Sequence, residues 1–252
     1  MDEHLEALAT ELRRCDTAVA FTGAGISAAS GVPTFRGEDG IWGRQFEPAD
    51  FEYRRFQSDP GGFWEDRLEL RDVLKVGTVT PNAAHDALAT LEANDHLDAV
   101  ITQNTDGLHQ AAGTDNVIEL HGNGRRVVCS SCGQRGDAAP VVERVREGER
   151  PPTCDRCDGV LKPDVTLFGE SLPELAMNEA RGLARDSDIF LAIGSSLTVQ
   201  PAASIPTTAA RDGTLAIVNL EPTPEDDGAT YVFHEDVTAV LPQLVERTVA
   251  EM

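Results

Sequence analysis

The chain has 252 residues, of which 40% are hydrophobic, which is enough to bury a sizeable core and excludes disorder throughout the chain. No apolar run approaches the roughly 20 residues that a membrane-spanning helix needs. The formal net charge of −22 argues against direct binding of nucleic acid, because phosphate contacts need clustered lysine and arginine side chains.

Hydrophobic periodicity predicts helices that alternate with strands along the chain. Helices are predicted over residues 3–14, 62–76, 81–94, 173–185 and 238–250, and strands over residues 17–22, 97–102, 117–120, 187–193 and 215–218. Thr80 is predicted to cap the third of these helices, with Pro81 in its first turn. Residues 31–59 lack a clear period and predict a long ordered loop. The alternation predicts an α/β fold, with a Rossmann-like parallel sheet and helices on both faces.

The charge is interpreted as a solvated acidic surface. Only Lys75 and Lys162 are lysines, and this composition resembles that of proteins from salt-loving microbes such as halophilic archaea, where salt screens self-repulsion. We expect protein partners that are basic and carry lysine. The acidic, amphipathic start of the sequence is unlike a signal peptide, so we expect a cytoplasmic protein, and one that is monomeric.

A glycine-rich segment, Gly23-x-Gly25-x-x-Ala28, follows the first predicted strand and has the form of a dinucleotide-binding loop. Such a loop lets backbone N–H groups approach a pyrophosphate near a helix N-terminus. By itself the motif fits a tight glycine turn equally well. The acidic residue that usually binds the ribose about 20 residues later is missing, which disfavours an ordinary dehydrogenase. Asn219 and Glu221, after a later strand, are candidates to replace it.

Four predicted strands end in small or amide-bearing residues. These ends begin at Gly23, Gln103, Gly194 and Asn219. Because ligands gather at the carboxyl ends of strands in a doubly wound sheet, the four ends predict one nucleotide site.

Four cysteines form two Cys-x-x-Cys pairs, and 21 residues separate the pairs. Cys129, Cys132, Cys154 and Cys157 are therefore predicted to hold one tetrahedral zinc ion, with redox thiols or disulfides as the alternatives. Four thiolates leave no open coordination position, so we expect the zinc to be structural. Cys15 lies just before an apolar run and is interpreted as a small buried hydrophobic residue.

The motifs resemble those of the sirtuin family and occur in the family's order over about residues 15–245. They are Gly23-Ala-Gly-Ile-Ser27, Gly31-Val-Pro-Thr-Phe35-Arg36, Gln103-Asn104-Thr-Asp106, His121-Gly122, the two cysteine pairs, Pro163-Asp-Val165-Thr-Leu-Phe168-Gly169-Glu170, Gly194-Ser-Ser196 and Asn219-Leu-Glu221. The resemblance implies an NAD-dependent protein-lysine deacetylase or deacylase. Such an enzyme consumes NAD as a co-substrate, releases nicotinamide and transfers the acyl group to ADP-ribose.

The resemblance also implies roles for individual residues. His121 would be the general base, with Gln103 and Asn104 beside it in the catalytic set; an imidazole suits this role because it titrates near neutrality, although a lone histidine is more often structural. The residues implied to contact NAD are Gly23, Ala24, Gly25, Ser27, Phe35, Arg36, Ile41, Trp42, Asp106, Gly194, Ser195, Ser196, Asn219, Glu221 and Val237. Those implied to contact the acyl-lysine substrate, in part by pairing with its backbone, are Val165, Phe168 and Gly169.

Three units are predicted on this basis. Residues 1–34, 78–123 and 166–252 form the NAD-binding Rossmann-like domain, residues 35–77 a cofactor loop with a helical insertion, and residues 124–165 the zinc-binding module.

The acyl preference depends on one helix. Thr34, in a Thr-Phe-Arg-Gly loop, resembles the subgroup that includes desuccinylases, which bind acidic acyl groups with a tyrosine and an arginine three residues apart. When aligned on Trp64, these two positions are Arg67 and Leu70. Leu70 cannot bind a carboxylate, so we expect deacetylation to exceed desuccinylation, with Arg67 or Arg71 left as possible substitutes.

Two other functions fit parts of the pattern. A protein ADP-ribosyltransferase would share the NAD site but use another nucleophile, and His121 together with the acyl-lysine residues disfavours it. A non-catalytic zinc-bearing nucleotide sensor or nucleic-acid-binding module would need only the cysteine insertion. The net charge of −22 opposes that function, as do His121 and residues 103–106.

Overall fold

The computed structural model describes residues 2–35, 40–209, 211 and 213–249. The helices are α1 Asp2–Leu12, α2 Tyr53–Ser58, α3 Pro60–Val73, α4 Ala83–Ala93, α5 Leu108–Ala112, α6 Ala138–Arg146, α7 Glu174–Asp186, α8 Ser204–Ala209 and α9 Val237–Val249. The strands are β1 Ala18–Thr22, β2 Ala99–Thr102, β3 Val117–Glu119, β4 Gly122–Cys129, β5 Arg135–Asp137, β6 Leu161–Val165, β7 Ile189–Ile193, β8 Thr214–Val218 and β9 Tyr231–Phe233. Within these ranges no helix is long and apolar enough to cross a membrane.

A six-stranded parallel sheet forms the larger part of the molecule, in the order β3-β2-β1-β7-β8-β9. Successive side chains of each strand point to opposite faces. Ala18 and Ala20 pack with α1, α4 and α9 on one face, while Val19 and Phe21 pack with α7 and α8 on the other. The predicted parallel sheet with helices on both faces is confirmed.

The chain order creates a switch point in this sheet. From β1 the chain continues to β2 and β3 on one side, and it later returns to place β7, β8 and β9 on the other side of β1. The loops that leave β1 and β7 therefore diverge and open a crevice at the carboxyl ends of the strands, which is where ligands bind in open α/β sheets.

A second, smaller layer contains the antiparallel sheet β5-β4-β6 and helix α6. Its apolar side chains share one core with α2 and α3: Val127, Val141 and Leu161 cluster with Phe63 and Trp64. The indole Nε1 of Trp64 donates a hydrogen bond to the Leu161 carbonyl over 2.8 Å. The helical insertion and the cysteine-bearing segment thus stabilise each other, while the limits of the three predicted units stay a prediction.

Several local predictions were wrong. Helix α4 begins at Ala83, because the Asn82 side chain accepts the Ala84 N–H over 2.9 Å and so caps the helix in place of Thr80. The predicted loop over residues 31–59 contains the 3₁₀ helix Pro48–Phe51 and helix α2. The edge strand β9 and the helices α5, α6 and α8 were not predicted, since short elements carry too few residues to show a period.

We expect Trp64→Phe to lower the free energy of unfolding by about 1–3 kcal/mol, because the buried Leu161 carbonyl would lose its donor. Guanidinium denaturation monitored by circular dichroism measures the change. Trp42→Phe is the matched control, since no hydrogen bond from the Trp42 indole occurs within the described part of the chain. Equal losses in the two variants would contradict this role of the hydrogen bond.

Candidate functional site

A cleft of about 1360 Å³ lies at the carboxyl ends of the parallel strands. Most of the predicted site residues line it: Gly23, Ala24, Gly25, Phe35, Trp42, Gln103, Asn104, His121, Val165, Phe168, Gly169, Gly194, Ser195, Ser196, Asn219, Glu221 and Val237. The four strand ends that the sequence singled out therefore converge on one cavity.

Three predicted contacts lie elsewhere, and a fourth falls on an undescribed residue. Ser27 and Asp106 are buried beneath the glycine loop rather than at the cleft surface. Ile41 is buried in the core that α3 shares with the cysteine-bearing layer. Arg36 lies outside the described residues.

The glycines of the site allow two backbones to touch. The Gly25 N–H donates to the Gly194 carbonyl over 2.8 Å. A Cβ on Gly25 would lie 2.8 Å from that same carbonyl oxygen, and a Cβ on Gly194 would lie 2.3 Å from the Ile26 nitrogen. Gly194 also has a φ of +58°, which disfavours any residue with a side chain. The loops after β1 and β7 thus form a cradle in which these glycine positions leave no room for side chains of their own.

A buried polar network supports this cradle. The Ser27 hydroxyl donates to the Asp106 carboxylate over 2.7 Å, and the Asn104 amide donates to the Gly23 carbonyl over 3.0 Å and to the Ser27 hydroxyl over 3.2 Å. The Leu108 N–H also donates to Asp106 over 2.9 Å. The glycine loop is therefore hydrogen-bonded to the loop that follows β2, and both loops have a fixed relative position.

Two buried histidines extend the network, and sequence reasoning missed both. His85 approaches the Ser27 hydroxyl at 3.4 Å, and His109 approaches the Thr22 hydroxyl at 2.9 Å. Burial lowers the pKa of His109 to about 3 and also lowers the pKa of His85, so both are neutral near pH 7. One sequence feature could have identified His85: it lies three residues after Asn82. In the structure its Nδ1 accepts the Asn82 N–H and completes a capping box.

His121 lines the cleft with a defined ring orientation. Its Nδ1 lies 3.0 Å from the backbone carbonyl of Gln103, which can only accept, so Nδ1 carries the hydrogen. Nε2 is then the basic nitrogen of the neutral ring. The Gln103 side chain donates to the Ser195 hydroxyl over 2.9 Å, which links the loops after β2 and β7 beside this base.

An aromatic wall closes one side of the cleft. The Phe35 and Trp42 rings stack with centroids 5.7 Å apart, and the Phe168 ring meets Trp42 edge-on at 5.5 Å. The backbone of Phe168 is paired within the protein: its carbonyl accepts the Tyr53 N–H over 2.9 Å, and its N–H donates to the Phe51 carbonyl over 3.2 Å. The Phe168 backbone is therefore not available to an added strand, whereas a Cβ on Gly169 would meet nothing within 4 Å.

The four paired cysteines form a cluster that fits a metal ion. Their Sγ atoms all lie within 4.8 Å of one another, with 3.5 Å between Cys129 and Cys157 and 3.9 Å between Cys132 and Cys154. Tetrahedral zinc with Zn–S bonds of about 2.3 Å requires sulfur separations of about 3.8 Å. Disulfides would need about 2.05 Å, so the geometry favours zinc over disulfides.

The fold and the site together define a class: an α/β protein with a dinucleotide cradle at its sheet switch point and a four-cysteine metal module. The Sir2 family model matches residues 23–201, and the chain belongs to the Sir2 family, the sirtuins.

Similar proteins are named for the same chemistry. The NAD-dependent protein deacetylase of Haloarcula marismortui is 60% identical, over 97% of this chain and 95% of its own. The NAD-dependent protein deacylase 2 of Archaeoglobus fulgidus is 43% identical, over 98% of this chain and 96% of its own. A solved structure of Sir2 with a p53 peptide and NAD+ has a TM-score of 0.85 at 37% identity, covering 96% of this chain and 97% of that one.

We expect Gly194→Ala to lower the thermal midpoint of unfolding more than Gly113→Ala does. Both glycines have positive φ, +58° and +96°, but an added Cβ meets the Ile26 nitrogen at Gly194 and nothing within 4 Å at Gly113. The control variant therefore carries only the backbone strain, about 1–2 kcal/mol. Differential scanning calorimetry compares the variants, and equal midpoints would contradict the close backbone packing.

We expect one zinc ion per chain, and we expect Cys154→Ala to lose it because three thiolates no longer complete the tetrahedral site. Metal analysis of dialysed protein measures the stoichiometry. Cys15→Ala is the control and should retain the ion, since Cys15 lies outside the cluster. Full zinc content in Cys154→Ala would show that the four-ligand site is wrong.

Proposed function

We propose that this protein is an NAD-dependent protein-lysine deacylase that releases nicotinamide and transfers the acyl group to ADP-ribose. The observation that carries the proposal is His121, whose Nδ1 is held by the Gln103 carbonyl so that Nε2 is basic, in the cleft that contains the glycine cradle. Both relatives described above are named NAD-dependent deacetylase or deacylase.

The reaction consumes NAD, water and an acyl-lysine and yields lysine, nicotinamide and O-acyl-ADP-ribose. The bond from nicotinamide to ribose and the amide bond of the acyl-lysine break. The ribose carbon gains the acyl oxygen, the oxygen of water replaces it on the acyl carbon, and an ester of ADP-ribose forms. When bound, NAD supplies an electrophilic ribose carbon. The protein's part is to position this carbon, keep bulk water away from it while nicotinamide leaves, and move protons.

The cradle suits the phosphates of NAD. Backbone N–H groups of Ala24, Ser195 and Ser196 would bind them, because the neighbouring glycines without Cβ atoms allow close approach. Asn219 and Glu221 would bind ribose hydroxyls at the end of β8 in place of the missing acidic residue. Phe35 and Trp42 would shield the nicotinamide end from water. Ser27, Asn104 and Asp106 would hold that end through their buried network.

His121 would act as the general base. A neutral imidazole with hydrogen on Nδ1 can accept a proton from a ribose hydroxyl at Nε2, which activates that oxygen toward the acyl carbon. Val165 and Phe168 would contact the lysine side chain, and Gly169 would pair with the substrate backbone. The zinc would stabilise the antiparallel layer and take no part in the chemistry, because its four positions are filled.

The expected substrates and cellular compartment are proposed from the net charge and from the arrangement of the cysteines. A net charge of −22 favours basic, lysine-bearing protein substrates and disfavours nucleic acid. Cysteines arranged for metal rather than disulfides favour a reducing compartment, in keeping with a cytoplasmic transferase. A monomeric state and the three predicted units remain predictions that gel filtration and limited proteolysis can test.

A sirtuin-like protein ADP-ribosyltransferase is the alternative that shares the NAD site. It would need no acyl-lysine, so it is disfavoured by the residues that line the cleft beyond His121, namely Val165, Phe168 and Gly169. NAD turnover that depends strictly on an acyl peptide would exclude it.

We expect nicotinamide release from NAD when acetyl-lysine peptides are added, with O-acetyl-ADP-ribose as the co-product. His121→Ala should lower kcat by about 100-fold or more, because the general base is lost. Mass spectrometry quantifies both products. His4→Ala is the control, since His4 is exposed on α1 and should keep full activity. Full activity in His121→Ala would contradict the mechanism.

A further inference from the structure

Residues 166–170 form a turn that lines the cleft and contains Phe168 and Gly169. The chain reverses here, because the Glu170 N–H donates to the Leu167 carbonyl over 3.0 Å. Strand β6 ends at Val165, so the pairing of β4 with β6 does not fix the shape of the turn. Other contacts must therefore hold it in the form that a substrate peptide would meet.

Two charged side chains join the ends of the 166–170 turn. The Glu170 Oε2 accepts the Leu167 N–H over 2.8 Å and also accepts a hydrogen bond from the Lys162 ammonium over 2.6 Å. The same ammonium donates to the Val165 carbonyl over 2.8 Å. One lysine of β6 is thus bonded both to the residue just before the turn and to its last residue.

The Lys162–Glu170 pair is largely removed from water. The exposed fraction of the side chain is 12% for Lys162 and 21% for Glu170. The ring of Tyr53 lies with its centroid 5.9 Å from the Lys162 Nζ, which is within the range of a cation–π interaction. The Tyr53 N–H donates to the Phe168 carbonyl, so the same tyrosine contacts both the ammonium and the turn.

The burial of this pair indicates what it contributes. A sheltered ion pair adds little to the free energy of unfolding, because the desolvation of two charges offsets much of their attraction. Its bonds are directional, however, and they restrict the backbone at Val165 and Leu167. The contribution of the pair is therefore expected in the shape of the turn more than in the stability of the fold.

We propose that Lys162 and Glu170 are positioning residues for the acyl-lysine peptide. Their ion pair holds the 166–170 turn in the shape to which the peptide binds. The proposal rests on the proposed function and adds two residues to it. Lys162 acts through its partners, since Glu170 lines the cleft and Lys162 does not.

The effect should be confined to the peptide. Neither charged group is assigned a proton transfer in the proposed reaction, and the Glu170 Oε2 is already bonded to two donors of the protein. The cradle for the NAD phosphates is formed by other loops, at Gly25 and Gly194. Loss of the pair should therefore weaken peptide binding and leave NAD binding nearly unchanged.

The test uses the full chain and one acetyl-lysine peptide. Fluorescence anisotropy gives the Kd of the labelled peptide without NAD, and nicotinamide release gives kcat and separate KM values for the peptide and for NAD. The variants are Lys162→Met, Lys162→Arg, Glu170→Gln and the double variant Lys162→Met/Glu170→Gln. The thermal midpoint of each variant shows whether it is folded.

Glu149→Gln is the matched control. Glu149 pairs with Arg144 over 2.6 Å and accepts the Thr153 N–H over 2.9 Å, so its carboxylate makes the same two kinds of bond as that of Glu170. It lies in the cysteine-bearing layer and does not line the cleft. The control should lower the thermal midpoint without changing the Kd for the peptide.

We expect Lys162→Met and Glu170→Gln each to raise the Kd and the KM for the peptide by about 5- to 20-fold, because the peptide must then order the turn as it binds. The KM for NAD and kcat should stay nearly unchanged. The double variant should be no worse than the weaker single variant, since both changes break one pair. Lys162→Arg keeps the charge and should keep most of the affinity.

Four results would overturn the proposal. They are wild-type peptide affinity in both single variants, an equal rise of the KM for NAD and for the peptide, a loss in Lys162→Arg as large as in Lys162→Met, and the same weakening of peptide binding in Glu149→Gln. A failure of the proposed function is distinguishable from these, because the wild type itself then releases no nicotinamide when acyl peptides are added.

Discussion

The close approach of two backbone loops is the constraint on which the site depends. The loops that leave β1 and β7 contact each other at Gly25 and Gly194, where a 2.8 Å hydrogen bond leaves no room for a Cβ. The sheet order creates this contact, because β1 and β7 are neighbours whose connections run in opposite directions. Because no Cβ atoms project there, a pyrophosphate could approach the N–H groups of the neighbouring residues closely.

The polar groups beneath the cradle hold it in place. Ser27, Asn104 and Asp106 bond to one another in an interior where water does not compete, so each hydrogen bond restricts the loops more than it would at the surface. The neutral states of His85 and His109 fit this role, since a charged imidazole would have to be desolvated. The same loop after β2 contains Gln103, whose backbone carbonyl orients the ring of the proposed base, His121.

The cysteine-bearing layer helps to position the cleft residues, but its metal cluster takes no part in the proposed reaction. Strands β4 and β6 pair so that Gly122 lies opposite Val165, and the Thr166 N–H donates to the His121 carbonyl over 2.9 Å. The metal cluster closes the far end of these strands, and the core shared with α3 supports their side. A zinc ion there therefore acts on His121 and on the substrate wall only through the position of the backbone.

Features that depend on local pattern were predictable from the sequence. Periodicity predicted the main helices and strands, the residues after the strands predicted the site, and the cysteine spacing predicted the metal cluster. Each of these patterns can be recognised from residues that are close together in the sequence. Tertiary packing decided how deeply some of the predicted site residues are buried. Ser27 and Asp106 lie under the glycine loop, and Ile41 lies in a core built from distant segments. Burial and charge pairing depend on which segments meet, and only the folded chain determines that.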